Sequence, residues 1–321
     1  MHLAVYLPLL LPLLAPLGAR PVAERCDPRL GTWLLTGSAL VLGAASTLCL
    51  GLLAVAGLVR VPWLASLGHW APLAAHDDPT ALSVSLAAGL LLGGATLTAV
   101  RFLFRRVRTL AAAALDAACM PARDGLVVVE DAAPDAFALP GLPGLPGRVV
   151  VSTGMLDTLD ADEHRILMAH ERAHLTAHHY AFVATAQLGA AANPLLRPLA
   201  AAVTYTIERW ADENAAAATG DRRKVARAVG KAALASRHRR GRTPGGALGF
   251  LGRLPLLPGR HRRAHATPGP VPRRVAALLA PPQGLRPLLT AATLAVPAAA
   301  LLAAAEATLD LHRLLESIGI R

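Results

Sequence analysis

Apolar residues along this chain gather into four long runs with almost no charge in them, at about 2–18, 33–59, 81–103 and 285–305. A helix needs about 20 such residues to cross a bilayer. The second and third runs meet that length, and the fourth just reaches it. The first is near the lower limit and is interrupted by Pro8, Pro12 and Pro16. Only Met1 and His2 precede it, without the basic residues that open a signal peptide. It is therefore expected to stay as a transmembrane helix whose prolines lean on neighbouring helices.

Charge at the ends of the runs predicts their orientation. Arg101, Arg105, Arg106 and Arg108 sit at the end of the third run, which places that end in the cytoplasm. Arg20, Arg25 and Arg29 mark the 20–31 connection as inward. The 60–79 connection sets Arg60 against Asp77 and Asp78 and should face outward. The N-terminus then lies outside, as does the short tail 306–321, which is too small for a folded sensor domain.

Between the third and fourth runs the pattern changes. Short apolar stretches at 126–130, 136–139 and 148–152 read as strands, the first and last rich in Val. The Pro-Gly repeat at 140–147 between the last two reads as a turn. Asp160 with Glu163 three residues on is a capping-box start for a helix that runs into the apolar stretch 181–192, broken by Asn193-Pro194. That stretch is too short to cross alone; a buried core helix is the preferred reading, a dip into the membrane the other. A second helix is expected over 199–219 and a basic one over 222–242. Residues 241–284, rich in Arg, Pro and Gly, read as a mobile linker beside the membrane. The expected architecture is an α-helical integral membrane protein of about four transmembrane helices, 1–108 and 285–305, with an inserted α+β domain over 109–240.

Composition agrees. Apolar residues make up 54% of the 321 positions and charged residues 17%, with mean hydropathy +0.45, too apolar for a soluble enzyme of this size. The excess of 32 Lys and Arg over 21 Asp and Glu sits beside apolar runs. It therefore speaks for a lipid bilayer partner with anionic headgroups, and no direct nucleic-acid binding is expected. Cys26, Cys49 and Cys119 show no paired spacing and suggest no disulfide framework.

One stretch carries chemistry: His170-Glu171-Arg172-Ala173-His174. On a helix His170 and His174 project from one face and can share one Zn²⁺, while Glu171 can take a proton from water. A catalytic zinc needs a third protein ligand. His178 lies ~12 Å along a continuous helix from His170 at ~1.5 Å per residue, out of reach. The metzincin pattern would need glycine at 177 and histidine at 180, where this chain has Ala177 and Tyr180. His178 and His179 are therefore expected to form a polar surface patch. Glu208 on the next helix is the better third ligand, with Asp212 one turn on to hold a ligand imidazole through its other nitrogen. Glu213 competes but points about 100° away from Asp212. Tyr180, Tyr205, His238 and Arg274 are all conceivable donors to an oxyanion.

The H-E-R-A-H stretch, the later E-R-W-A-D, and the preceding D-A-F-A and R-V-V-V-S-T-G-M-L strands resemble the gluzincin membrane peptidases, which include CAAX-prenyl and heat-shock membrane proteases. Three spans before the domain and one after it resemble most closely the BlaR/MecR-type sensor-transducer peptidases, metallopeptidase family 56, here without their penicillin-binding domain. The resemblance implies a zincin-like fold, zinc ligands His170, His174 and Glu208, Glu171 as general base and Asp212 in support. It also implies an edge strand at Asp135, Ala136, Phe137 and Ala138 that pairs with substrate backbone, with Asp135 where those enzymes usually carry Asn.

The expected function is that of a multi-pass cell-membrane zinc metalloendopeptidase (a hydrolase) with a cytoplasmic active site, bacterial in type. Its substrate would be a protein or peptide, a DNA-binding repressor in signal transduction or other membrane proteins. The alternative is a catalytically silent transducer that uses the peptidase fold for binding.

Overall fold

The computed structural model describes residues 3–58, 79–240 and 269–317. The expected outward connection and most of the 241–284 linker fall outside these residues. The chain divides into two units: residues 1–105, 182–204 and 285–321 form one, and 106–181 with 205–284 form the other.

The first unit is helical. Its N-terminal run is not one straight helix. It winds through a 3₁₀ turn at Leu3–Val5, α1 (Leu7–Leu10), a second 3₁₀ turn at Leu11–Leu14 and α2 (Ala15–Arg25), with Pro8, Pro12 and Pro16 each near the start of a piece. Proline lacks the N–H that would close the turn behind it. Pro12 therefore leaves the Pro8 carbonyl unbonded along its own helix, and the Ser46 hydroxyl of α3 (Pro28–Leu58) donates to it at 2.8 Å. The support expected from neighbouring helices is real.

Next comes α4 (Pro79–Ala118), which continues through the arginine cluster instead of ending at 103; Ala111 to Ala114, the strongest of helix formers, extend it. Among the described residues three helices are long and apolar enough to cross a membrane, Pro28–Ala56, Leu82–Ala118 and Pro287–Arg313. Leu90, Leu97, Leu103 and Phe104 of α4 are exposed, as a lipid-facing surface requires.

The second unit is inserted in the chain between α4 and the last helix of this set, and it holds a small mixed sheet. Its strands are β1 (Leu126–Val129), β2 (Ala136–Leu139) and β3 (Arg148–Ser152), in spatial order β1-β3-β2. β3 pairs parallel with β1 (Val127 beside Val150) and antiparallel with β2 (Phe137 beside Val150). β2 is therefore an edge. The Pro-Gly stretch turns as expected, with Gly144 at φ +80°, where a side chain would be strained.

Then follow α5 (Thr153–Thr158), α6 (Ala161–Thr176), α7 (His179–Ala192), a 3₁₀ turn at Pro194–Leu196, α8 (Arg197–Thr219), α9 (Arg222–Arg240), α10 (Pro270–Leu279) and α11 (Pro287–Ser317). The capping box forms: Asp160 accepts from the Glu163 N–H and Glu163 from the Asp160 N–H, each at 2.9 Å. Apolar residues at helical spacing on four helices pack together, with Ile166 of α6 meeting Ala215 of α8, Val225 and Ala228 of α9 and Leu278 of α10.

Three expectations need correction. Residues 270–279 are not linker but α10, opened by prolines at its first turn and packed by its apolar face. The fourth run, expected to end at 305, continues as one helix as far as Ser317. Residues 182–192 are not core of the inserted domain: Phe182 meets Trp33 edge to face at 4.8 Å, and Gly189 lies against the Ala39 carbonyl, both within the first unit.

Candidate metal centre

Every group of this centre lies in the inserted unit. His170 and His174, one turn apart on α6, turn their Nε2 atoms to within 3.2 Å of each other. Glu208 of α8 brings Oε2 to 3.7 Å from His170 and Oε1 to 3.8 Å from His174. Among the described residues these three are the ones able to converge on one ion, with ligand atoms all within 4.8 Å of one another. Tetrahedral zinc with bonds near ~2.0–2.1 Å spaces its ligands by about 3.3 Å, and the observed separations lie close to that. The donor set of two imidazoles and a carboxylate suits Zn²⁺ and leaves a position open.

A second layer holds the ligands. His170 Nδ1 lies 3.1 Å from Asp212 Oδ1. Asp212 is buried and grips Arg274 of α10 through two hydrogen bonds, Arg274 Nε donating to Oδ2 at 2.8 Å and Nη2 to Oδ1 at 2.7 Å. Arg274 Nη1 reaches Glu208 Oε2 at 2.7 Å. Burial would raise both acids, but Arg274 overcomes it and holds Asp212 below and Glu208 well below the ordinary carboxylate range. Burial would likewise lower His170, yet Asp212 and Glu208 raise it to about 10. Surroundings that so favour positive charge at this ring favour a bound dication in the same way.

His174 is held from the other side. Its Nδ1 lies 3.0 Å from Nδ1 of His179, which is 1% exposed and packs against Trp210 with ring centroids 4.6 Å apart. Burial pushes His174 down to about 4 and His179 to about 3, so both rings are neutral. That is the form in which a ligand imidazole offers a lone pair. The surface patch expected at 178–179 is thus half wrong. His178 is exposed, but it takes φ +52° in the turn after α6, and that turn swings His179 back into the core.

Glu171, buried beside His170, is raised to about 7, chiefly by burial. A general base is most effective with a proton affinity near the working pH. When bound, the ion supplies Lewis acidity, which makes water a nucleophile at neutral pH and polarises a scissile carbonyl. Glu171 is placed to accept the water proton and return it to the leaving amine.

The edge strand adjoins this chemistry. The Ser152 hydroxyl accepts from the Asp135 N–H at 2.9 Å and donates to the Ala133 carbonyl at 2.7 Å, fixing the entry to β2. The Asp135 carboxylate accepts from the Ala136 N–H at 3.0 Å. Phe137 and Ala138 follow in the strand, and Asp135 and Ala136 line the same cavity as His170, Glu171 and Glu208.

Of the conceivable oxyanion donors, Arg274 stands in the centre. Tyr205 lies under the Arg273 guanidinium at 4.5 Å, Tyr180 has its ring 6.1 Å from that of His178, and the side chain of His238 falls outside the described residues. The pairing of Arg274 with Asp212 and Glu208, and the place of His179, escape a reading of the sequence. Arg274 is a candidate donor there, but it sits in a segment read as linker, although Pro270-Val271-Pro272 with Val275 and Leu278 marks a short amphipathic helix. His179 escapes because nothing in Ala177-His178 signals a break in the helix.

Residues 103–192 match the family model described as Peptidase family M48. The matched segment holds His170, Glu171 and His174 and stops before Glu208. No curated protein and no solved structure matches the chain. The match overturns the BlaR/MecR-type assignment, metallopeptidase family 56, because the catalytic segment itself is similar to another peptidase family; the count of spans, on which that assignment leaned, is a property many membrane proteins share. With two residues of the metal cluster and Glu171 inside a peptidase-like segment, and Glu208 brought to them by α8, the chemistry of this multi-pass membrane chain is that of a zinc metalloendopeptidase with a zincin-like inserted domain.

Proposed function

We propose that the protein cuts protein substrates at the cytoplasmic surface of the cell membrane, taking up extended segments of membrane-bound or membrane-associated proteins. The single observation that carries the reaction is the convergence of His170, His174 and Glu208 beside buried Glu171. An edge strand next to that centre suits an extended peptide, since its outer backbone groups can pair with a substrate strand. Inward orientation is supported by Arg101, Arg105, Arg106 and Arg108 on α4, just where the inserted unit begins. A transcriptional repressor as substrate drew its support from the family assignment now overturned. Membrane proteins within reach of the anchored domain are the substrate class proposed here.

The test uses the full-length protein in lipid nanodiscs, loaded with zinc. Glu171→Gln should lower hydrolysis of an unstructured protein substrate by about 10²–10⁴-fold while zinc content stays at one per chain. Equal hydrolysis by the variant and the wild type would remove Glu171 as base. An absence of hydrolysis in both would return the protein to the silent-transducer reading. A reporter fused near residue 245 should remain cytoplasmic, and its appearance outside would overturn the orientation.

A further inference from the structure

The register of the edge strand β2 fixes which of its backbone groups face outward. Asp135, at its entry, lies opposite Ser152 of β3. The Ser152 N–H donates to the Asp135 carbonyl at 2.9 Å, and the Asp135 N–H donates to the Ser152 hydroxyl at 2.9 Å. In an antiparallel pair, residues that bond the partner strand alternate with residues that do not. Phe137, beside Val150, therefore turns its backbone to β3 as Asp135 does, and Ala136 and Ala138 turn theirs to the open edge. A substrate strand laid along β2 would pair with the N–H and C=O groups of these two alanines. One of those groups is already taken: the Ala136 N–H donates to Oδ1 of Asp135, its own neighbour, at 3.0 Å.

A docking strand brings a carbonyl to the place where the Ala136 N–H points. That carbonyl and the Asp135 carboxylate are both acceptors, so one N–H cannot serve both, and the two oxygens repel each other. The carboxylate would give up a charge-assisted hydrogen bond, about twice as strong as a neutral one, and it needs a donor of comparable strength in return. We infer that Asp135 is a specificity-determining residue that admits substrate strands carrying a lysine or arginine beside Ala136, whose cation takes the carboxylate in exchange for the N–H. The inference rests on the peptidase reading above, with the substrate extended along β2, and names the class of residue that this edge selects. Asp135 is half-buried, so an ion pair formed there is screened less than one on the open surface. A substrate aspartate or glutamate at the same point would set a second carboxylate beside Asp135, where Glu163, Glu171 and Glu208 line the same cavity. A neutral residue would displace the carboxylate and offer it nothing.

Affinity and turnover, measured together, test this. Zinc-loaded full-length Glu171→Gln protein in nanodiscs is titrated with labelled Ala/Ser octapeptides carrying one guest residue, Lys, Arg, Gln or Glu. Lys and Arg guests should bind about tenfold more tightly than Gln and Glu, the order that one hydrogen bond to a charged group is worth. That advantage should shrink as salt is raised. In wild-type protein the same preference should appear in KM rather than kcat, with cuts at a fixed distance from the guest by mass spectrometry. Asp135→Asn, nearly isosteric and uncharged, should remove most of the preference, and Asp135→Lys should turn it towards Glu. A ranking that does not favour cations, or one that Asp135→Asn leaves unchanged while zinc content is retained, overturns the role of Asp135. Binding of none of the peptides overturns it as well. A cationic preference that Asp135→Asn abolishes, without hydrolysis by the wild type, supports Asp135 and overturns the peptidase reading alone.

Discussion

His174 and His179 meet through their Nδ1 atoms at 3.0 Å, the second ring buried against Trp210. One nitrogen must donate and the other accept. If His174 is to offer Nε2 to a metal, its proton sits on Nδ1 and His179 is the acceptor, so His179 orients a zinc ligand as Asp212 does for His170. His179→Ala should weaken zinc binding about 10–100-fold, read by competition with a chelator, and His179→Asn should recover part of the loss. Unchanged zinc affinity in His179→Ala would make the ring a packing residue only.

Arg274 and Asp212 form a buried, two-bond ion pair, their side chains 12% and 2% exposed. Removing one partner strips the other of its two-bond counter-ion in a buried setting, leaving Asp212 with His170 only or Arg274 with Glu208 only, a loss of about 3–5 kcal/mol. Arg274→Met should therefore lower the stability of the inserted domain by that order in thermal or denaturant unfolding. The double variant Arg274→Met/Asp212→Asn should be more stable than Arg274→Met. Simple addition of the two single losses would contradict the coupling.

Arg222 clips α10 in place. Its Nε donates to the Leu278 carbonyl at 3.0 Å, Nη2 to those of Ala277 and Ala280 at 3.0 and 3.2 Å, and Nη1 to Glu213. Three carbonyls at the end of α10 thus find donors they would otherwise lack. Arg222→Ala should raise hydrogen exchange across 270–280 and reduce activity, because Arg274 is carried on that helix. Unaltered exchange there would show that the apolar face alone holds α10.

Gly154 admits no side chain. A Cβ at this position would stand 2.3 Å from the Ala132 carbonyl oxygen. Gly154→Ala should push the loop before β2 away from α5 at a cost of about 1–3 kcal/mol, seen as a lower unfolding midpoint. An unchanged midpoint would mean that this backbone contact relaxes freely.

Much of the protein is legible in its residues because the signals are local. A bilayer demands long uncharged helices, so α3, α4 and α11 announce themselves by length and hydropathy. The strands at 126–129, 136–139 and 148–152 follow from short apolar runs, two of them Val-rich, set off by Gly and Pro, and the start of α6 from Asp160 and Glu163. His170 and His174 are four residues apart on one helix, so 3.6-residue periodicity alone sets them on one face, and Glu171 is held next to them by the chain itself.

What the sequence left open depends on chain that returns from far away. Glu208 becomes a ligand only because α8 packs beside α6, and Arg274 joins it only because α10, 62 residues beyond Asp212, docks by Val275 and Leu278 and is clipped by Arg222. The reversal at His178, φ +52°, turns a neighbour in sequence that helical spacing would send elsewhere into the support of His174. Spacing along one helix is fixed by covalent geometry and can be read from the sequence. Which helices meet is fixed by the burial of their apolar faces against one another, and only the tertiary structure decides it.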